Sequence, residues 1–403
     1  MTESAKINEV IEVIGQRVNN ILPSTWYHRD ELPIATDSGT KIQIYPTSMK
    51  VNNELLKNPY AVTLALNDGT SWDNSNYATA ANRAGKDVYI YACSPASGTE
   101  PVYKLSVNST VPTGYSADTS RKVGGFHSLC LGVGTISGHT LNNWATGSVL
   151  PATVWDLRHH SAATIGNEGQ FFFNGNWVGI YLPGWNGSRL VNQYGAQIAD
   201  GSCGKNPADG SGFSGESFVE YAGYIGMHLI SRDMFMQIAE GSNQRTNIKN
   251  SADPGTSGGH YDTAGRRMIS NYGAEDCCGV LWQWTSNTCD NSTTWYDSLN
   301  SNKLLNTAVP DIFHTANKYI ENRVGWREES VWELARTTLN TVPASYSSSG
   351  RGSAYCGLLR RVLVGGRWSD GASCGSRSVK CDTLSSCRDG AGGGRLCASH
   401  RGD

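Results

Sequence analysis

The chain has 403 residues, enough for two or three domains, and 33 Lys and Arg against 35 Asp and Glu leave a net charge of -2. Near-neutrality gives no electrostatic footprint for nucleic acid and no polybasic patch for an anionic membrane. Charged residues make up only 17%, while Gly (46), Tyr (18) and Trp (12) are abundant, a composition that suits short strands and long ordered loops.

In chain order, residues 6–22 give the clearest helical pattern. Ile7, Ile11, Ile14, Val18 and Ile21 repeat at alternating spacings of four and three, the seam of a coiled coil. β-Branched residues at both seam positions favour three or more strands over two. The plainer alternative is one amphipathic helix packed on its own domain, and Pro23 ends it either way. No apolar stretch approaches the roughly 20 residues that span a bilayer, and Met1-Thr2-Glu3-Ser4 lacks the pattern of a signal peptide. Synthesis in the cytoplasm without membrane insertion is expected.

Residues 24–160 alternate short apolar runs with turn signals: KIQIYP (41–46), YAVTLAL (60–66), DVYIYAC (87–93) and VYKLSV (102–107) read as half-buried strands. TAANRA (79–84) reads as a helical turn, and the whole as a β-rich connecting domain. From about 165 the texture changes. GQFFFNGNWVGIYLPGW (169–185) predicts a hairpin around Asn174-Gly175. Ser231 is placed to cap a helix over 232–240 that stops at Gly241, and a second helix is expected over 328–340. Helices among scattered strands and long loops predict an α+β domain over 161–403.

Few motifs carry chemistry. The P-loop and zinc-protease signatures are missing from the sequence, and no catalytic residue, metal ligand or cofactor is expected. Eleven Cys cannot all pair within one chain, and without any CxxC a zinc site is not expected; most thiols are read as reduced and many as buried. Adjacent His159 and His160 point in different directions in most backbones, and His127 reads as a hydrogen-bonded structural residue. Glu275 and Asp276 beside Trp282 and Trp284 resemble a carboxylate pair over an aromatic platform; the favoured reading is acids that satisfy loop amides beside a buried Trp pair.

The last forty residues are the most informative. Val362, Leu363 and Val364 read as a buried strand, Gly365-Gly366 as a tight bend and Trp368 as an anchor. The mostly small and polar residues between Trp368 and Gly394 cannot bury a core of their own. The surrounding fold must hold them, with side chains facing solvent or a ligand.

The pattern GGxW…GSR…S…GxR…H from Gly365 to His400 resembles the variable proteins of diversity-generating retroelements, the class that includes phage tropism determinants. These lie on the formylglycine-generating-enzyme-like branch of the C-type lectin fold. The segments GGFHSLC (124–130), VWDLRH (154–159), WVGIYL (177–182) and 266–284 add softer matches. The resemblance implies a C-terminal C-type-lectin-type domain preceded by a β-rich domain and a short N-terminal helix. It also implies a scaffold of Gly365, Gly366, Trp368, Gly375, Ser376, Arg377, Ser386, Gly393, Arg395 and His400. The displayed, ligand-binding positions would be Arg367, Ser369, Asp370, Ser373, Lys380, Asp382, Thr383, Cys387, Asp389 and Ala391. All but Lys380 are reachable by adenine mutagenesis of an Asn codon. Positions 387, 389 and 391 are spaced to share one face of an extended segment.

The implied function is a non-enzymatic receptor-binding protein. It would sit on a phage tail or fibre and form a homotrimer. Its partners would be a host-surface protein or glycan and other tail components. The alternatives are a surface-displayed bacterial variable protein and an oxidative enzyme of the formylglycine-generating branch. The enzyme needs two closely spaced cysteines, whereas Cys374, Cys381 and Cys387 lie seven and six residues apart. The acidic motifs of calcium-dependent sugar lectins are missing too.

Overall fold

The computed structural model describes residues 22–202, 210–289, 360–381 and 383–401, with short strands at 296–297, 303–304, 318–319 and 353–356. The expected helices over 6–22 (all but residue 22) and 328–340 lie outside the described residues, as does Asp382. The chain divides into two compact units. One holds the described residues up to Leu129 together with Thr146–His159; the other holds Cys130–Ala145 and His160–Arg401.

The first unit is built from three antiparallel sheets. One orders β1 (Tyr27–Arg29), β4 (Thr47–Val51) and β5 (Glu54–Asn58) as β1-β4-β5; a second orders β2 (Ile34–Thr36), β3 (Lys41–Ile44) and β6 (Val62–Ala65) as β2-β3-β6. The third comprises β7 (Asp87–Cys93), β8 (Val102–Ser106), β9 (Ser120–His127) and β10 (Trp155–Asp156), in the order β10-β9-β7-β8. The four apolar runs read from the sequence are β3, β6, β7 and β8. Their inward residues, Ile42, Ile44, Leu64, Val88, Ile90 and Leu105, join Met49, Leu56, Trp72 and Phe126 in one core. TAANRA contains a single turn of helix, α1 (Ala80–Arg83). Its buried Arg83 donates to the carbonyls of Leu66, Tyr77, Ala78 and Gly147, joining three loops through one guanidinium. His127 sits 2.8 Å from Asp87, the structural role expected of it.

The second unit opens with β11 (His160–Ser161), then the hairpin of β12 (Gln170–Phe173) and β13 (Asn176–Gly179). Asn174 and Gly175 both have positive φ, 44° and 76°, as the two-residue hairpin turn requires. The short pair β14 (Gly184–Trp185) and β15 (Leu190–Val191) follows. Next come α2 (Gly215–Tyr224), β16 (His228–Leu229) and α3 (Arg232–Ile238). Ser231 caps α3 by accepting from the Met234 amide, as the sequence indicates; the helix ends at Ile238, two residues short of the expected end, and Gly241 (φ 80°) follows. Helix α2 was not anticipated. Ser214 caps it by accepting from Ser217 N–H, and Phe218, Ala222 and Ile225 bury its inner face.

The remaining strands are β17 (Trp282–Cys289), β18 (Tyr296–Asp297), β19 (Lys303–Leu304), β20 (Lys318–Tyr319), β21 (Ser353–Cys356), β22 (Arg360–Gly365), β23 (Gly375–Cys381), β24 (Gly392–Gly394) and β25 (Leu396–Arg401). A six-stranded sheet runs β20-β21-β23-β22-β17-β24, and β25 pairs with β11, β13 and β16 in another. Strands dominate both units. In the second unit, α2 packs among strands around Phe213, Phe218, Trp282, Trp284, Leu363 and Leu396.

Candidate functional site: the displayed C-terminal segment

The segment between β22 and β25 is bounded by two rigid features. Gly365 and Gly366 have φ of 95° and 85°; a Cβ on Gly365 would stand 2.5 Å from the Cys277 carbonyl oxygen, and one on Gly366 would stand 2.9 Å from Cys374 Sγ. Only glycine fits both the torsions and the space. At the other end Arg395 is wholly buried. It donates to Gln283 Oε1 (3.0 Å) and to the carbonyls of Gly179 (2.8 Å), Ile180 (2.7 Å) and Glu275. A planar fork with donors aimed several ways suits a cation whose partners lie on separate turns.

Under the segment lies a charged network. Arg267 and Glu275 are fully buried and 2.6 Å apart, and Cys130 Sγ lies 3.4 Å from the same carboxylate. Asp276 meets His260 Nδ1 at 2.9 Å and accepts from Gly258 N–H; Glu275 accepts from Gly259 N–H. The acids thus satisfy loop amides beside buried Trp282 and Trp284, which is the favoured reading of that motif. Burial opposes the charge on both Asp276 and His260, but each stabilises the other. The carboxyl is held below its ordinary range and the imidazole above its own.

Trp368 is half-buried and packs on the cluster of Leu182, Ile198, Ile248, Met268, Val280 and Leu281. Its N–H donates to Val280 O and its carbonyl accepts from the Asn247 side chain. Arg367 and Asp370 turn back on each other, Nε to Oδ1 at 3.2 Å, with the Arg367 amide on Oδ2. Ser369 is exposed; Ser373 and Lys380 are half-buried. Beyond β23, Thr383 and Cys387 are half-buried while Leu384, Ser386, Arg388 and Asp389 are exposed.

This outer stretch is held by its main chain. Glu216 N–H donates to Ser385 O, Gly201 N–H to Asp389 O, Gly392 N–H to Asp389 O and Trp282 N–H to Ala391 O. The Glu216 carboxylate also accepts from the Ser385 hydroxyl at 2.7 Å. Gly201 touches the strand so closely that a Cβ there would stand 2.1 Å from Asp389 N.

Three expectations need correcting. Ala391 is buried, 2% exposed, so its side chain faces the core and not solvent. Positions 387, 389 and 391 do not share one face, because Asp389 is exposed while Ala391 is buried, and no strand runs through 387–391. Ser386, expected as scaffold, is exposed. Of the other scaffold positions, Gly365, Gly366, Gly375, Ser376, Arg377, Gly393 and Arg395 are buried, and Trp368 and His400 are half-buried. The sequence reading missed exposed Leu384, and it missed Gly201 and Glu216, which hold the segment from far away in the chain. The Ser214-x-x-Ser217 cap followed by Phe218, Tyr221, Ala222 and Ile225 was the available signal for α2.

Cys93, Cys130, Cys277, Cys278, Cys374, Cys387 and Cys397 are free thiols, and all but Cys387 are buried. Burial pushes the Cys397 thiol up to about 12 and the Cys277 thiol up to about 11. Cys278 and Cys374 are raised in the same way. Among the described residues, no group of three or more His, Cys, Asp or Glu is placed to hold a metal ion, and no helix is long and apolar enough to cross a membrane.

Residues 63–156 match the family model described as the Mtd second domain. The chain is 28% identical over 215 residues to the tail fiber receptor-binding protein of Bordetella phage BPP-1, a match that covers 50% of this chain and 54% of that relative. Among solved structures, the Major Tropism Determinant I1 variant superposes with a TM-score of 0.63 at 21% identity, covering 94% of this chain and 86% of the other. The U1 variant gives 0.59 with 94% and 84% coverage. The chain therefore has the fold of the Major Tropism Determinant, and its residues 63–156 are similar to the Mtd second domain.

Proposed function

We propose that this protein is a receptor-binding protein of a phage tail or fibre, and that its second unit is a C-type-lectin-type display domain. One observation carries the reading: two mostly polar stretches, 367–373 and 383–389, with exposed or half-buried side chains, are held in place by main-chain hydrogen bonds and buried scaffold residues. Side chains there can change identity without removing what fixes the backbone. The binding face would comprise Arg367, Ser369, Asp370, Ser373, Lys380, Asp382, Thr383, Cys387 and Asp389, with Ala391 left out by its burial. The similarity to a phage tail fiber receptor-binding protein supports the same reading.

The partners would be a host-surface protein or glycan on one side and other tail components on the other. A homotrimer built on the N-terminal heptads would multiply weak single-site affinity through avidity. A non-enzymatic role is supported by the thiols. A thiolate is the reactive form, and burial holds Cys277 and Cys278 in the protonated one.

Replacing Asp382, Thr383 and Asp389 together, by Asn at the two acids and Ala at Thr383, tests the proposal. Binding to host cells should be lost or redirected. Stability should change by no more than surface substitutions usually cause, within about 0.5 kcal/mol. Unfolding of that variant would mean that the face is structural and would end the display reading.

A further inference from the structure

A second surface, in the first unit, is built for a different kind of contact. Among the described residues β1 pairs only with β4, so its other edge is open. Tyr27 stands opposite Met49, Lys50 N–H donates to Trp26 O, and Asp30 N–H donates to Pro46 O. Hydrogen-bonded positions alternate along an antiparallel pair. The main-chain groups of Trp26, His28 and Asp30 therefore face β4, and those of Tyr27 and Arg29 face the open edge.

A recess of about 560 Å³ lies here, lined by Trp26, Tyr27, His28, Arg121, Leu157 and Arg158. Its charged lining is cationic. Asp156, two residues before Arg158, is buried and already engaged: it pairs with Arg29, accepts from the Tyr27 hydroxyl at 3.2 Å and accepts from Arg158 N–H at 2.9 Å. Arg121 is held in place by the carbonyls of Thr25, Trp26 and Lys50, which use three of the five donors a guanidinium has. The Arg158 residue is exposed. Asp30 and Glu31, just past the end of β1, are exposed and do not line the recess.

An open strand edge next to one anchored arginine, a second exposed one and an aromatic wall suits one class of partner. We propose that this edge takes an extended acidic peptide segment of a partner protein by strand addition. The peptide backbone would pair with the main chain of Tyr27 and Arg29, its carboxylates would meet Arg121 and Arg158, and apolar side chains would rest on Trp26 and Leu157. Main-chain pairing supplies affinity and the arginines supply the choice of an acidic sequence. This contact is independent of the display face, so the failure of either reading leaves the other intact.

The test uses the full chain and a fluorescein-labelled peptide of about ten residues alternating Glu and Val, followed by fluorescence anisotropy. The peptide should bind, more weakly as salt is raised. Arg158→Glu and, separately, His28→Glu should each weaken binding by about tenfold. A Lys-for-Glu peptide and a peptide N-methylated at alternate residues should both fail to bind. Equal binding of the N-methylated peptide would mean charge adhesion without strand addition. Equal binding of the Lys peptide, or unchanged affinity in both variants, would remove the role of the arginines. Sedimentation of the Arg158→Glu variant supplies the last outcome. If an oligomer dissociates, the edge is an interface between copies of this chain. Any of these results overturns the proposal.

Discussion

At the scale of single residues, the scaffold depends on buried charges with specific geometry. Arg395 donates to a side-chain amide and to three carbonyls of two separate turns, Gly179–Ile180 and Glu275. Lysine keeps the charge but offers a point donor in place of a fork. Arg395→Lys should therefore leave carbonyls unpaired and lower stability by about 2–4 kcal/mol, read by chemical denaturation. The His260–Asp276 pair makes a pH-dependent contribution. Asp276 is held below its ordinary range, so its share is present above the unfolded carboxyl value and is lost as pH falls through the folded one. His260 is held above its ordinary range, so its share is present below the unfolded imidazole value of about 6.5 and is lost as pH rises through the folded one. The melting temperature should thus fall off on both sides of a mildly acidic window, and His260→Gln should flatten the alkaline limb. An unchanged alkaline limb in that variant would assign the loss to other groups.

At the scale of elements, the display segment resembles a strap laid over a fixed bed. Gly201 meets Asp389 backbone to backbone, with no flexible side chain to yield. Gly201→Ala should cost about 1–3 kcal/mol and should also alter binding, because it pushes away the stretch that carries Cys387 and Asp389. Thr383→Ala, on a half-buried side chain, should change binding with little loss of stability. A thermal melt of both variants separates the two effects. Helix α3 and the β12–β13 hairpin were legible because their punctuation is local: Ser231 caps and Asn174-Gly175 turns. Ala391 was not legible. Whether a small residue beside three glycines faces water or Trp282 is settled by strand pairing across more than a hundred residues.

At the scale of the whole molecule, the proposed homotrimer should show as three times the 43.5 kDa chain mass in sedimentation velocity. Introducing a charge at Ile11 or Ile14, at the centre of the heptad seam, should reduce that mass. A trimer that survives both substitutions would place assembly elsewhere in the chain. Glycine-rich, low-charge composition and period-two alternation determined a β-rich chain, and the run from Gly365 to His400 marked the buried glycines and arginines of the segment while misplacing Ser386 and Ala391. Those features are local or carried by residue type, so they can be read in one dimension. Only the tertiary structure decided that Gly201 and Glu216 hold the display segment, that Ala391 faces inward, and that the β1 edge lies beside arginines from distant parts of the chain. Each of these depends on which distant backbones come into contact, and burial of a shared core sets that contact, not the pattern of neighbouring residues.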